Sequence, residues 1–397
     1  MNRVPNTPGW LKGFTRITSG GKFIPEIDGL RFAAISFVFL LHLNHQVVPR
    51  AAQALQPPPE SSVFNRLLES GEYGVQLFFA ISGFILALPF ASRRLGHLPP
   101  VSLRRFYLRR LTRLEPPMII NLFLLFAVQV VVMGVAASDR LPNLAATIPY
   151  LHTAVFGEDS LINPVIWSLE VEAQFYLLTP FLTLIFCVSN TMARRLALVA
   201  GIVAFAHFGN SFHKAALPSQ LEHFLVGFLI ADFHLNEWSR APDSRGSWTW
   251  DLVGLAAWVS IPLLHYVQNS FGPALILLPF GTLLAFAASF RGRILPAFFR
   301  LPLIVVIGGM CYTFYLYHLA FLSAFSRLTC PLVPETNYYL YYLYQVLILG
   351  TITLVGTAIL FRFTERPFMV PDWPRRMGRA LRRVFAAGKT SGSSDAQ

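Results

Sequence analysis

Arg31 and His42 lie in one otherwise apolar run of the sequence, and their types and spacing indicate chemistry inside a membrane. Hydrocarbon tolerates few ionisable side chains, so each one needs a function or a partner. Their separation is close to three helical turns, which places both on one helical face, roughly 16 Å apart along the axis. A guanidinium binds phosphate oxygens, and an imidazole accepts a proton. The pair therefore predicts an anion site near one membrane surface and a proton acceptor nearer the other.

Other ionisable residues group by depth in the same way. Three side chains in apolar runs lie at a predicted depth similar to that of His42: Glu172, Glu222 and His318. If their helices face one cavity, these groups form a reaction chamber or a gate. His318 is equally compatible with a hydrogen bond between helices. Arg110 and Arg113 share a helical face near the surface closest to Arg31, where they bind either a ligand phosphate or lipid phosphates.

The bulk composition favours a polytopic helical membrane protein. Hydrophobic residues make up 54% of the 397 residues, charged residues only 13%, and the mean hydropathy is +0.52. Soluble domains carry about 25% charged residues. The net charge of +12 comes mainly from loops, which argues against nucleic acid as a partner. No spacing of His and Cys predicts a metal site.

Ten candidate spans are predicted, and these orient the chain. They cover residues 28–48, 73–92, 114–136, 165–188, 194–209, 217–235, 249–267, 271–289, 302–324 and 339–363. The run 144–156 is predicted as an outer loop or a re-entrant segment. With the N-terminus in the cytoplasm, inner segments carry 25 Lys and Arg residues and outer segments carry five. This positive-inside bias predicts that both termini are cytoplasmic.

The predicted organisation is a single membrane domain between two cytoplasmic segments. Residues 1–27 form the N-terminal segment, 28–363 the membrane domain, and 364–397 a basic tail that is partly disordered and lies on anionic lipid. Asp28, Glu26 and Glu365, at the inner helix ends, are predicted partners of nearby arginines. The predicted location is the plasma (inner) membrane, which the chain crosses several times.

Several motifs together resemble the acyltransferase 3 family of integral membrane acyltransferases, which modify glycans and other acceptors. The resemblance covers residues 24–370 and keeps the order and spacing of the family patterns. The motifs are Arg31 and His42 after Ile27-Asp28-Gly29-Leu30, Ser82-Gly83-Phe84, Arg110-Leu-Thr-Arg113 with Pro116, Trp167-Ser-Leu-Glu-Val-Glu-Ala-Gln-Phe-Tyr, Tyr312-Thr-Phe-Tyr-Leu-Tyr-His, and Phe363-Thr-Glu-Arg-Pro. Ala173 departs from the family pattern, since many members carry a second Glu there.

The resemblance implies ten membrane helices, acyl-CoA as cytoplasmic donor and an acceptor on the far side. It implies that Arg31 and His42 are essential and that Arg110 and Arg113 support them. In the resulting hypothesis the arginines bind the phosphates of the donor, and His42 removes a proton from the acceptor hydroxyl. Glu172 would orient His42. A covalent acyl-histidine remains an alternative.

Several parts of this hypothesis stay open. Oxyanion donors could come from Tyr176, Trp167 or Ser82, and the sequence does not choose among them. The expected donor is acetyl-CoA without a metal, the expected acceptor is a glycan or lipid-linked sugar, and a homo-oligomer is left open. The competing function is a proton-coupled transporter or flippase for a polysaccharide precursor, in which His and Glu relay protons. A third alternative is a structural partner in polysaccharide export.

Overall fold

The chain folds into α-helices joined by short turns, and no strand occurs in the residues described. The computed structural model describes residues 8–17, 23–51, 55, 57–59, 61–96, 100–238, 246–267, 272–332, 337–370 and 373–374. The helices are α1 Pro25–Ala51, α2 Val63–Glu69, α3 Tyr73–Gly96, α4 Leu103–Ala127, α5 Ala137–Thr147, α6 His152–Phe156, α7 Trp167–Leu182, α8 Thr191–Phe208, α9 Leu221–Phe233, α10 Trp248–Val267, α11 Pro273–Arg291, α12 Ile294–Phe299, α13 Pro302–Gly309, α14 Cys311–Thr329 and α15 Tyr338–Leu360.

The prediction of an all-α protein that crosses the membrane several times is confirmed. Within the described residues, eight helices are long and apolar enough to cross, and the bent pair α13–α14 raises this number to nine. The tenth predicted span, 217–235, corresponds to α9, which is shorter than the others. We call the end of the bundle where α1 begins the arginine end, and the opposite end the histidine end, after Arg31 and His42.

Helix α9 forms the centre of the bundle. Its 13 residues extend over about 20 Å, and the π-helical turn His234–Trp238 continues it beyond Phe233. Every residue from Leu221 to Asp232 is buried, and the helix packs on α3, α8 and α11. Protein rather than lipid therefore surrounds its ends. A helix in this position need not cross the hydrocarbon alone, because its neighbours exclude lipid from its backbone.

A sharp break separates α13 from α14 at the arginine end. The two helices meet at Met310 with a bend of 72°. Gly308 approaches the backbone of Asp28 so closely that a β-carbon there would overlap it. This contact places the break directly beside the first turn of α1. A π-helical turn, Phe361–Glu365, follows α15 and brings Glu365 to the same region.

The segment that follows α4 is helical as well. The run 144–156, predicted as a loop or re-entrant segment, forms the end of α5 and the short helix α6. Tyr150 between them has a φ of 61°, a left-handed conformation that a bulky residue rarely adopts. Glu170 of α7 accepts hydrogen bonds from the backbone N–H of Thr153 and so fixes α6 on the bundle.

Parts of the predicted terminal segments lie outside the described residues. These parts are residues 1–7 and 18–22 of the N-terminal segment and residues 371–372 and 375–397 of the basic tail. Of the described parts, residues 8–17 contain a 3₁₀ turn, Gly9–Phe14, with Leu11 buried, and residues 23–27 lead into the first turn of α1. The division into two cytoplasmic segments and one membrane domain stays a prediction.

Contact between α3 and α9 depends on glycine, and a single methyl group tests it. A β-carbon at Gly227 would overlap the backbone of Ala80 and Phe84. We expect Gly227→Ala to lower the free energy of unfolding by about 1–3 kcal/mol, since neither backbone can move away. Gly96→Ala is the matched control, because no atom lies within 4 Å of its added β-carbon. Thermal unfolding in detergent checks this; equal midpoints for the two variants would refute close packing at Gly227.

Candidate active site

Four arginines from three parts of the chain line one cavity. Arg31 comes from α1, Arg110 and Arg113 come from α4, and Arg16 comes from the N-terminal segment. The cavity holds about 900 Å³ of empty space, its open mouth included. The three arginines predicted to act together are therefore brought together by the fold. The fourth, Arg16, was missed by the sequence interpretation.

Asp28 holds two of these arginines in place. Its Oδ1 accepts hydrogen bonds from Arg31 and, at 2.9 Å, from Nη1 of Arg16. The carboxylate is 1% exposed, so both contacts are largely removed from water. The expectation that Asp28 pairs with nearby arginines is thus confirmed. Glu26 likewise pairs with Arg300.

Arg16 is in a strongly cationic environment. Burial, together with Arg113 and Arg31, lowers the pKa of Arg16 to about 9. The guanidinium still carries its charge near neutral pH, and an anion beside it would raise this pKa again. A sequence signal for this residue does exist. Trp10, Leu11 and Phe14 are apolar positions among basic ones, a pattern that favours docking on other helices.

Glu172 lies in the cavity with the arginines. The hydroxyl of Ser82 on α3 donates a hydrogen bond to Glu172 Oε1, and Tyr176 is also hydrogen bonded to this carboxylate. The guanidinium carbon of Arg110 lies 5.6 Å from the centre of the Tyr176 ring. Ser168, Glu172 and Tyr176 line the cavity at four-residue intervals, which places them on one face of α7.

His42 and His318 form a hydrogen-bonded pair toward the histidine end. His318 Nε2 lies 3.0 Å from His42 Nδ1. His318 Nδ1 lies 2.7 Å from the carbonyl oxygen of Tyr315, and His42 Nδ1 lies 2.9 Å from that of Val38. Since a carbonyl only accepts, both Nδ1 atoms carry hydrogen in the neutral pair. His42 Nδ1 then donates to His318 Nε2, and His42 Nε2 is left as a free proton acceptor.

The predicted orientation of His42 by Glu172 is wrong for this structure. His318, on α14, occupies the position expected for Glu172, because the α7 face that carries Glu172 points toward Ser82 and Arg110. The condition for a shared chamber is not met, because Glu172 lines the arginine-rich cavity and Glu222 does not. Glu222 pairs with the neighbouring ring of His223 at 3.2 Å.

The oxyanion candidates are likewise separated. Ser82 and Tyr176 line the cavity, whereas the ring of Trp167 packs against Phe79 and lies 5.3 Å from the Lys214 ammonium. Tyr315 connects the cavity with the histidine pair. It lines the cavity, and its ring centre lies 5.8 Å from that of His318. His42 and His318 are not among the described residues that line the cavity.

Comparison with known families gives one match that covers most of the chain. The family model described as an acyltransferase domain matches residues 24–362. The chain belongs to the acyltransferase 3 family. The match contains every motif residue named above except those after 362, and Arg16 lies upstream of it.

Similar proteins carry compatible names. A provisionally assigned O-acetyltransferase of Staphylococcus aureus strain COL is 23% identical over 388 residues, which cover 90% of this chain and 59% of that protein. The O-acetyltransferase OatA of S. aureus strain NCTC 8325 is 23% identical over 406 residues, covering 92% and 61%. The chain thus spans about three fifths of the length of these relatives. No solved structure matches significantly.

The family assignment favours an acyltransferase over the transporter alternative. A broken pair of helices, which is common in secondary transporters, does occur here in α13 and α14. The break is used differently here. Gly309 and Cys311, on either side of it, line the arginine-rich cavity.

The described part of the chain contains no group of three or more His, Cys, Asp or Glu side chains that could hold a metal ion.

The buried carboxylate of Asp28 should be the main support of the arginine end. We expect Asp28→Asn to lower the free energy of unfolding by about 3 kcal/mol, because two largely buried guanidiniums lose their counter-ion. Glu26→Gln, on the same helical turn, should cost about 1 kcal/mol or less, since its partner Arg300 is 56% exposed and returns to water. Thermal unfolding of both variants in detergent measures the difference. A larger loss in Glu26→Gln would contradict the role of Asp28.

Proposed function

We propose that the chain is a membrane O-acetyltransferase that moves an acetyl group from cytoplasmic acetyl-CoA to a hydroxyl of a glycan or lipid-linked sugar on the opposite side. The observation that carries this proposal is the arrangement of the two sites. One bundle contains an arginine-lined cavity and, further along the same helix α1, a histidine pair. The first suits a phosphorylated donor and the second suits proton removal from a hydroxyl.

Charge distribution supports the direction of transfer. Lys and Arg are concentrated in the loops at the arginine end, which favours a cytoplasmic location for that end in a plasma membrane. Acyl-CoA is made in the cytoplasm, so its phosphates would meet Arg31, Arg110 and Arg113 first. The pantetheine arm would then extend toward His42, over the roughly 16 Å between Arg31 and His42 along α1.

The chemical step requires a base that takes one proton from the acceptor hydroxyl and then passes it to the departing sulfur. His42 Nε2 takes the proton of the acceptor hydroxyl while the hydroxyl oxygen attacks the thioester carbonyl. The new C–O bond forms, the C–S bond breaks, and the CoA sulfur leaves as a thiol after it receives the proton held by His42. His318 fixes the ring of His42 through the hydrogen bond to Nδ1. No oxidant or other co-reactant is needed.

Glu172 acts in the cavity that binds the acyl donor. It balances the charge of the arginines and holds the hydroxyls of Ser82 and Tyr176. A thioester oxygen that enters the cavity would compete with Glu172 for these two donors. The ring of Tyr315 lines the cavity and lies beside His318, so the acyl group would pass this ring on its way to His42.

The names of the relatives support an acetyl group and an oxygen acceptor, since both proteins are named as O-acetyltransferases. The segment of α5 and α6 is suited to contact the acceptor. It carries the left-handed Tyr150 and is anchored on α7 next to the cavity. Mass spectrometry of cell-surface glycans with and without the gene would identify the acceptor.

The test of the proposed function is the removal of the base. We expect His42→Ala to abolish acetyl transfer from acetyl-CoA, since the substitution removes the proposed proton acceptor, while abundance in the membrane stays normal. His45→Ala is the matched control: it lies one turn further along α1, is half exposed and pairs with Glu69 at 3.0 Å. Transfer at the native rate by purified His42→Ala would refute the mechanism.

His318 should act through His42, which predicts rescue by a hydrogen-bond acceptor. We expect His318→Leu to reduce kcat by about 100-fold or more with little change in KM for the donor, because His42 loses the group that fixes its ring. His318→Gln should recover a substantial part of kcat, since its amide oxygen accepts from His42 Nδ1. Steady-state kinetics of both variants provides the check. Equal activity of the Leu and Gln variants would indicate that His318 only fills space.

A further inference from the structure

The described part of the N-terminal segment contributes one residue, Arg16, to the lining of the cavity. Its Leu11 packs in an apolar cluster with Val306, Met310, Phe361 and Met369. The backbone N–H of Ile17 lies 3.4 Å from the sulfur of Met369. These contacts attach residues 11–17 to α13, to the break before α14, and to the turns that follow α15. Arg16, which directly precedes Ile17, is thereby fixed in the cavity.

Arg16 has hydrogen-bonding capacity that the protein itself does not use. Nη1 donates to Asp28 Oδ1, an oxygen already bound by Arg31. Nε is buried and has no hydrogen-bond partner, and the side chain as a whole is only 13% exposed. Nε of Arg113 is buried and unpartnered in the same way. Buried N–H groups of this kind carry a penalty of about 1–3 kcal/mol each unless something accepts from them.

The positive charge of the cavity is also not fully balanced by carboxylates. Four guanidiniums line it, against the carboxylates of Glu172 and Glu365 and that of Asp28 behind them. Among the described residues at this site, cations therefore exceed anions. A phosphate group would complete the balance, because planar guanidinium forks match phosphate oxygens in pairs.

The origin of Arg16 sets it apart from the other three arginines. Arg31, Arg110 and Arg113 belong to motifs inside the matched family region, residues 24–362, whereas Arg16 precedes that region. The segment could be a simple latch that binds Asp28 and nothing else. The unpartnered Nε and the excess of positive charge argue for an additional, anionic ligand.

We propose that Arg16 binds a phosphate group of the acyl donor, so that the N-terminal segment forms part of the donor site. The inference rests on the proposed use of acetyl-CoA. The phosphate is either one of the pyrophosphate or the 3′-phosphate of the donor, and a donor without the 3′-phosphate distinguishes these two.

The experiment compares donors with and without phosphate on the purified full chain in lipid nanodiscs. The probes are acetyl-CoA, 3′-dephospho-acetyl-CoA and acetyl-pantetheine, which has no phosphate. We expect Arg16→Ala to weaken acetyl-CoA binding by about 10- to 100-fold and to leave the response to acetyl-pantetheine unchanged. Lys12→Ala is the control, since Lys12 is an exposed cation on the same segment. Arg16→Lys keeps the charge and should give an intermediate affinity.

The possible results separate the role of Arg16 from the use of acyl-CoA as donor. Equal acetyl-CoA affinity of wild type and Arg16→Ala overturns the role of Arg16 and leaves the proposed function intact. Equal losses on acetyl-CoA and acetyl-pantetheine show that Arg16 is a latch for Asp28, which also overturns the inference. If Arg16→Ala does not fold, the affinity of Arg16→Lys decides, and a wild-type value overturns the inference. If the wild-type protein does not distinguish acetyl-CoA from acetyl-pantetheine, the proposed donor is wrong and the inference falls with it.

Discussion

Burial of arginine is the constraint on which the rest of this structure depends. A guanidinium cannot give up its proton at physiological pH, so within a membrane bundle it must be paired or hydrated. The chain meets this requirement in part with Asp28, which binds Arg31 and Arg16 together, and with Glu172 and Glu365 around the cavity. The glycine contact of α13 with α1, the break before α14 and the π-helical turn at Glu365 all bring backbone and carboxylate toward these cations. These three irregular features thus lie where the charges lie.

The sequence predicted the helices well because hydrophobic length is a local property. Nine of the ten expected spans correspond to long helices or to the bent pair, and Arg31, Arg110 and Arg113 meet in one cavity. The exception, α9, carries Glu222 and Asp232 near its ends and continues into a π-helical turn, and a single sequence does not reveal which helix will be central. The apolar residues of α9 occur on all sides of the helix, and this pattern in the sequence is consistent with its burial.

The partners of the site residues were harder to predict, because they depend on the rotation of each helix about its axis. Spacing alone gives the depth of Glu172, His318 and Glu222, and on this basis all were placed with His42. The structure gives His42 only His318 as a side-chain partner among these, while Glu172 turns toward Ser82 and Glu222 toward His223. Arg16 was missed for a different reason. It follows a short 3₁₀ turn, and such a turn carries no periodic pattern that predicts where it docks.

The short central helix has an electrical consequence. Glu222 and Asp232 lie at opposite ends of α9, about 15 Å apart along its axis, similar to the separation of Arg31 and His42 on α1. The apolar slab between the two polar layers is therefore about half as thick as a bilayer core. A voltage across the membrane would fall mainly over this slab, so the local field would be about twice that in the surrounding lipid. Any charge that forms there during a reaction, such as an imidazolium or a thiolate, would sense the membrane potential directly.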